Sequence, residues 1–149
     1  MRKKWWVICL VFFVSGCGSH STEREVIATE DAPEAIGPYS QAIRVGNTLY
    51  LAGQIAIDPA TGKMLDAGIE EQTEQALKNI QAVLHSAGFS LQDVVQSQVF
   101  LSDLNNYGAM NKVYATHFTQ AAPARAAVQV ARLPLDAKVE IMVTAVRSH

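Results

Sequence analysis

The sequence predicts an α+β fold in which two helices cover one face of a mixed β-sheet. Short apolar runs bounded by Gly, Pro and Asn indicate strands, and two longer segments carry apolar residues at helical spacing. The two types follow one another in the order β-β-α-β-α-β-β, which is a two-layer arrangement. Because two helices can cover only one face of such a sheet, the other face must be solvated or buried by partner subunits.

The first predicted elements are a hairpin and a helix. Residues 40–52, "SQAIRVGNTLYLA", form two apolar runs around Gly46-Asn47, which is a common hairpin signal. A helix is predicted over residues 69–87, with Gly88 as its C-cap. The residues predicted to share its buried face are Ile69, Ala76, Leu77, Ile80, Leu84 and Ala87.

The next predicted elements are a strand and a second helix. Residues 94–101 are rich in β-branched and other apolar residues, which favours a strand. Asp103 or Asn105 can cap the helix that follows. The stripe predicted to be buried on this helix consists of Tyr107, Met110, Tyr114 and Phe118.

The stretch "RAAVQVARLPLDAKVEI", residues 125–141, predicts a small-residue strand, a turn and a second strand. Alternation places Val128 and Val130 on one side of the first of these strands. The residues placed on its other side are Arg125, Ala127, Gln129 and Ala131. This second side is small and mildly polar, so we expect it to be a non-core face that packs against a copy of itself or lines a cleft.

The N-terminus has the regions of a bacterial lipoprotein signal in the right order. Three basic residues at positions 2–4 precede an apolar run from Trp5 to Val14. That run is shorter than the roughly 20 residues of a membrane span. It ends in Val14-Ser15-Gly16-Cys17, which resembles a lipobox and implies lipidation of Cys17. An ordinary signal peptide that happens to contain a cysteine is the alternative.

These features predict three parts of the chain. Residues 1–16 are expected to be a signal peptide, residues 17–29 a lipidated cysteine with a polar tether, and residues 30–149 the folded domain. Gly18, in place of aspartate, resembles an outer-membrane sorting signal in a diderm bacterium. The expected location is therefore the cell envelope, lipid-anchored on the periplasmic side and in a diderm at the outer membrane, with a soluble periplasmic form as the alternative. Cleavage would remove three bases and change the formal charge from -2 to -5.

Composition and motifs exclude several classes of function. A formal charge of -2 provides no basic surface for nucleic acid, so no nucleic-acid partner is expected. None of the four histidines has a partner at metal-ligand spacing, so no metal site is expected. No phosphate-binding loop and no Ser-His-Asp order is present. A small site for an organic anion remains compatible with the chain.

Two charges in the final strands are the main candidates for such a site. Arg125 and Glu140 could form a cross-strand ion pair of little energetic value. Alternatively, Arg125 could hold a carboxylate with its bidentate fork while Glu140 acts on water as a general base. The residues alone leave both interpretations open. Tyr39 and Asn111 are by themselves compatible with an ordinary strand-start tyrosine and an exposed helix residue.

Four segments carry a family resemblance. "ATEDAPEAIGPYSQAI", "LYLAGQI", "TEQALKNIQAVLHSAG" and "PARAAVQVARLPLDAKVEI" resemble the reactive intermediate deaminase family, RidA/YjgF, from about Ile27 to Arg147. The resemblance implies the fold of the trimeric chorismate mutases, with three subunits packing their sheets together and sites between subunits. It further implies hydrolysis of reactive 2-imino acids, or of enamines of the 2-aminoacrylate type, to 2-oxo acids and ammonia without a cofactor.

The resemblance also implies roles for particular residues. Arg125 would pair with the substrate carboxylate, and Glu140 would activate the attacking water. Tyr39 and Gly53 would line the pocket, and Asn111 would contribute from its rim. The backbone carbonyl of Ala127 would accept a hydrogen bond from the imine nitrogen.

The chain departs from the family pattern in two places. Ala127 stands where many members carry cysteine, which removes a thiol but keeps the backbone carbonyl. The loop "HFTQAAPAR" is short, and Ala122 replaces a bulky aromatic residue ahead of Arg125. An alternative function is that of a non-catalytic protein that binds small 2-oxo acids through the same arginine. An exported, acidic chain argues against the ribonuclease and translation-inhibitor roles also attached to the family.

Overall fold

The structure, a computed structural model, describes residues 23–147. The strands of this part are β1 (Arg24–Ile27), β2 (Ala42–Val45), β3 (Thr48–Leu51), β4 (Ile57–Asp58), β5 (Lys63–Met64), β6 (Val94–Leu101), β7 (Ala124–Gln129) and β8 (Val139–Val146). The α-helices are α1 (Ile69–Ser86) and α2 (Tyr107–His117). Cys17 and the predicted signal peptide lie outside the described residues.

Six of these strands form one sheet in the order β1-β2-β3-β8-β6-β7, and β4 pairs with β5 in a separate small hairpin. All neighbours in the large sheet are antiparallel except β6 and β7. Both helices pack on one face of this sheet, with residues of α1, α2 and the central strands in a single buried cluster. The predicted two-layer α+β arrangement is therefore confirmed.

The helix α1 lies where the apolar pattern predicts it. Leu77, Ile80 and Leu84 are fully buried, and the other residues predicted for this face are buried as well. They pack against alternate residues of β8, including the fully buried Ile141. Gly88 has φ +77°, which a left-handed helix C-cap requires. No helix among residues 23–147 is both long enough and apolar enough to cross a membrane.

One segment predicted as part of the tether belongs to the sheet. β1 pairs antiparallel with β2, with Arg24 opposite Val45 and Ile27 opposite Ala42. Ile27 is buried in the main core, which explains why these residues are ordered as a strand. The ordered domain therefore begins before residue 30.

The last two strands are not a hairpin. β6 lies between β7 and β8, and β7 runs parallel to β6. A parallel connection needs a crossover, which α2 supplies by returning the chain over the sheet. The cross-strand ion pair considered for Arg125 and Glu140 requires β7 and β8 to be neighbours, and they are not, because a short turn between apolar runs does not specify which strands pair.

The two sides of β7 are also the reverse of the prediction. Arg125 is in register with Ser97, and Ala127 is in register with Val99, and both β6 residues are buried in the helix-covered face. Val128 lies on the open face and is 46% exposed. Alternation correctly separated the two sets of residues, but it assigned the wrong set to the core. Arg125 lies on the helix side of the sheet, at its edge.

Candidate functional site

Glu140 lies on the open face of the sheet. β8 alternates regularly, with Val139 and Ile141 fully buried under the helices and Glu140 directed to the other side. The carboxyl group is half-buried, and this desolvation raises its pKa above the ordinary value for glutamate. A carboxylate with a raised pKa is a more effective proton acceptor near neutral pH.

Gly53 packs directly against the Glu140 side chain. A Cβ atom at position 53 would lie 2.8 Å from Cδ of Glu140 and 3.0 Å from its Cγ, and it would overlap Oε1. The neighbouring backbone is tied to β8, because Gln54 N donates to the Ile141 carbonyl at 2.8 Å and Ile141 N donates back at 3.0 Å. The backbone at Gly53 therefore contacts the Glu140 side chain directly and restricts the position of its carboxylate.

A cleft of about 310 Å³ opens beside this carboxylate. Tyr39, Gly53 and Glu140, all predicted site residues, line it together. The rest of its lining is mostly apolar and includes Ile36, Ile55, Ile57 and Pro134. The Tyr39 hydroxyl accepts a hydrogen bond from the backbone N–H of Ile36 at 3.2 Å, which holds the ring at the rim. We refer to this group as the Glu140 cleft.

Arg125 lies in a second group on the opposite face of the sheet. Its guanidinium carbon lies 4.5 Å from the ring centroid of Tyr114 and 5.8 Å from that of Tyr107. Its Nη2 donates to the Tyr107 hydroxyl at 3.3 Å. Among the ion pairs of residues 23–147, none involves Arg125. We refer to Arg125 and these two tyrosines as the arginine site.

Asn111 and Ala127 belong to the same group. The Asn111 amide beside the Tyr107 hydroxyl lowers the pKa of Tyr107, and the nearby Arg125 charge adds to this effect. Val130 N donates to the Leu101 carbonyl of β6, so alternate residues of β7 direct their backbone groups toward β6. The N–H and C=O groups of Arg125 and Ala127 must then point away from the sheet, where they are free to bind a ligand.

The structure therefore brings the predicted residues together in two groups. Tyr39, Gly53 and Glu140 form one, and Arg125, Asn111 and Ala127 form the other, on opposite faces of the sheet. The ion pair considered between Arg125 and Glu140 is absent from the described residues, because β6 separates their strands and their side chains point in opposite directions. Cys17, the predicted lipidation site, lies outside the described residues.

The sequence reasoning missed the tyrosines of the arginine site. Tyr107 was predicted to be buried but is 41% exposed, because it starts α2 immediately after a 3-10 turn at Leu104–Asn106. Tyr114 is buried as predicted. The sequence contained a signal for this site, because two tyrosines lie on one predicted helix shortly before Arg125. Only the parallel crossover brings their rings and the guanidinium together.

The short loop before β7 carries small side chains. Ala121 has φ +40°, a left-handed conformation that is unusual for alanine, and Ala121 and Ala122 are both exposed. No group of three or more His, Cys, Asp or Glu side chains in residues 23–147 is arranged to hold a metal ion. The groups in residues 23–147 that could act on a ligand are thus the Arg125 guanidinium, the partly desolvated Glu140 carboxylate and the backbone groups at the outer edge of β7.

Comparison with known proteins finds similar chains of nearly the same length. A RutC family protein of Pyrococcus horikoshii is 54% identical over 118 residues, which cover 79% of this chain and 94% of that protein. The mouse 2-iminobutanoate/2-iminopropanoate deaminase is 47% identical over 124 residues, which cover 83% of this chain and 92% of that enzyme. The crystal structure of Escherichia coli TdcF with bound serine has a TM-score of 0.80 at 41% identity, covering 83% of this chain and 99% of that one.

The family model described as endoribonuclease L-PSP matches residues 29–147. This range contains both groups of candidate site residues and nearly all of the ordered domain. The fold predicted from the family resemblance is confirmed by these matches. The chain therefore belongs to the RidA/YjgF family.

Proposed function

We propose that this protein is a hydrolytic deaminase of reactive 2-imino acids and their enamine tautomers. The reaction adds water to the C=N bond and releases a 2-oxo acid and ammonia. The observation that carries the proposal is the Arg125 guanidinium, which has no acidic partner among residues 23–147 and lies against two tyrosine rings at the outer edge of β7. Relatives named 2-iminobutanoate/2-iminopropanoate deaminase in mouse and rat support it.

Arg125 and Glu140 have different tasks in this mechanism. The Arg125 fork binds the substrate carboxylate, and the Ala127 carbonyl accepts a hydrogen bond from the imine nitrogen. Glu140 takes a proton from water as the water oxygen attacks the imine carbon, forming a C–O bond. That proton passes to the nitrogen as the C=N bond becomes single, which gives a carbinolamine with one hydroxyl and one amino group. The hydroxyl proton then moves to the amino group, the C=O bond forms as the C–N bond breaks, and ammonia and the 2-oxo acid are released. An imine is already an activated electrophile, so positioning and charge stabilisation are sufficient.

We propose further that the working unit is a homotrimer with sites between subunits. In one chain, Arg125 and Glu140 lie on opposite faces of the sheet, so a site that uses both needs residues from two copies. The open sheet face also carries exposed apolar side chains, including Val26, Tyr50 and Val128. Their burial against neighbouring subunits would bring the Glu140 cleft of one copy to the arginine site of the next. Sedimentation of the domain as a monomer at working concentration would remove this interfacial model.

The activity can be tested by generating an imino acid in situ with an amino-acid oxidase and following its decay. We expect the soluble domain to accelerate the decay, and the absence of acceleration over several side chains would overturn the proposal. Glu140→Gln is expected to abolish turnover while 2-oxo acid binding survives, because it removes the base and leaves Arg125 intact. A wild-type protein that binds 2-oxo acids without turnover would instead support the binding-protein alternative.

We also propose that the protein is exported and anchored through a lipid on Cys17. The support is the sequence of the first 17 residues, which combines a basic start, a short apolar run and a lipobox-like end. Metabolic labelling with a radioactive fatty acid should mark the full-length chain, and Cys17→Ser should abolish both labelling and membrane association. Retained labelling in that variant would contradict the anchor.

A further inference from the structure

The side chain of Arg125 is held by aromatic rings and by no acidic partner among residues 23–147. Tyr114 lies under the guanidinium at 4.5 Å, and Tyr107 lies at 5.8 Å and accepts a hydrogen bond from it. Both tyrosines come from α2, whereas Arg125 comes from the edge strand β7. A long arginine side chain at an edge strand would otherwise sample several rotamers, and fixing one of them on binding would cost conformational entropy.

From this arrangement we propose that Tyr114 and Tyr107 form an aromatic clamp that positions the Arg125 fork for a substrate carboxylate. A ring partner attracts the guanidinium without neutralising it. An acidic partner would also fix the side chain, but it would compete with the substrate carboxylate. The clamp therefore orders Arg125 and leaves its charge available. This inference rests on the proposed deaminase function, because that function supplies the carboxylate.

The two tyrosines contribute unequally to the clamp. Tyr114 is 5% exposed and stacks on Phe118 with ring centroids 4.5 Å apart, so its position is fixed by the core. Its hydroxyl is buried beside the Ser97 side chain and makes no well-aligned hydrogen bond among the described residues, and it is the Tyr114 ring that lies 4.5 Å from the guanidinium carbon. Tyr107 is 41% exposed, and its hydroxyl orients the guanidinium. Tyr114 is thus a positioning residue through its ring, and Tyr107 is one chiefly through its hydroxyl.

The test measures binding of 2-oxobutanoate and of its neutral amide, together with kcat and KM for an imino acid. Tyr114→Leu should weaken 2-oxobutanoate binding about 5- to 30-fold, the range of a partly desolvated cation–π contact. KM should rise by a similar factor while kcat changes much less, because Glu140 belongs to the other group of residues. Binding of the amide should not change, because the amide carries no charge for Arg125. Tyr114→Phe should restore binding to within about twofold, since it keeps the ring.

Phe89→Leu is the matched control. Phe89 is also a buried ring beneath guanidinium groups, those of Arg44 and Arg147, but it lies outside both site groups. It should lose stability as Tyr114→Leu does and keep wild-type affinity for 2-oxobutanoate. Loss of affinity in this control would attribute the effect of Tyr114→Leu to general destabilisation and overturn the clamp.

The remaining outcomes separate the clamp from the proposed function. Wild-type affinity of Tyr114→Leu for 2-oxobutanoate, or equal losses for the acid and the amide, would overturn the clamp while leaving deaminase activity intact. A wild-type protein that binds 2-oxobutanoate without turnover would overturn the deaminase proposal, and the clamp would still be judged by binding.

If Tyr114→Leu does not fold, Tyr107→Leu provides the test, with an expected loss of 2-oxobutanoate affinity of about 2- to 5-fold for this exposed contact. Unchanged binding there, or no wild-type binding of either probe, would overturn the clamp.

Discussion

Gly53 lies so close to the Glu140 carboxylate that a single added methyl group tests the proposed base. In Gly53→Ala, the new Cβ would lie 2.8 Å from Cδ of Glu140 and would overlap Oε1. Cδ must retreat by about 0.6 Å to restore a 3.4 Å contact, and the carboxylate oxygen must move farther. The backbone beside Gly53 cannot yield as easily, because Gln54 is hydrogen-bonded to Ile141 in both directions. The carboxylate is therefore the part that moves.

A displacement of about 1 Å in a catalytic group costs on the order of 100-fold in rate. We expect kcat for an imino acid to fall by roughly this factor in Gly53→Ala. Stability should change by less than about 1 kcal/mol, because Gly53 is not among the described glycines with positive φ and alanine reduces the entropy of the unfolded chain. The variant should thus separate activity from folding.

Gly62→Ala provides a control that should lower stability without changing kcat. Gly62 has φ +67°, and a Cβ atom added there would have no other atom within 4 Å, so alanine strains the backbone without touching the site. Its free energy of unfolding should fall by about 1–2 kcal/mol, with kcat unchanged. The assays are imino acid decay, urea unfolding and sedimentation of all three proteins. Wild-type kcat in a folded, assembled Gly53→Ala protein would refute the assignment of Glu140 as the base.

The remaining predictions concern pH and the support of the cleft. Since burial raises the pKa of Glu140, the acid limb of kcat/KM should lie above the ordinary glutamate pKa of about 4.3. The protonated form is favoured in the folded protein, so stability should fall as pH rises from the unfolded pKa through the folded pKa of Glu140. Urea unfolding of Glu140→Gln over that window should lack this decline, and identical profiles for the two proteins would contradict desolvation of the carboxylate. Asn79 is buried and donates to the carbonyls of Ile55 and Ile57 at 3.1 and 2.9 Å, so Asn79→Ala should lower the free energy of unfolding by about 2–4 kcal/mol. A loss below about 0.5 kcal/mol in urea unfolding would show that water replaces the lost amide.

Local patterns were sufficient to predict the helices and most strands. The apolar spacing of α1 and the left-handed glycine after it depend on neighbours within a few turns, and both were found where expected. The strand β6 also matches its predicted bounds of residues 94–101. Edge strand β1 was missed because its four-residue sequence "REVI" is too short to show a strand pattern and becomes a strand only by pairing with β2.

The candidate residues could be named from the family resemblance of the sequence, but their spatial arrangement could not be predicted from it. Alternation along β7 separated Arg125 from Val128, yet periodicity cannot indicate which side faces the helices. That choice depends on pairing with β6, which comes more than 20 residues earlier in the sequence. Ser97 of β6 is the register partner of Arg125 and faces the helices, so Arg125 faces them too. The prediction of Tyr107 as a buried residue failed because Tyr107 is the first residue of α2, directly after the 3-10 turn, where it is 41% exposed.

The sequence by itself determined the fold class, the main elements and the candidate residues of the proposed imino acid site. It could do so because helix and strand periods are local, and because the motifs around Arg125 and Glu140 are contiguous. Only the tertiary structure decided that these two charges lie on opposite faces, one against aromatic rings and one beside Gly53. The physical reason is that strand order and crossover direction come from packing between distant segments, which no local pattern encodes.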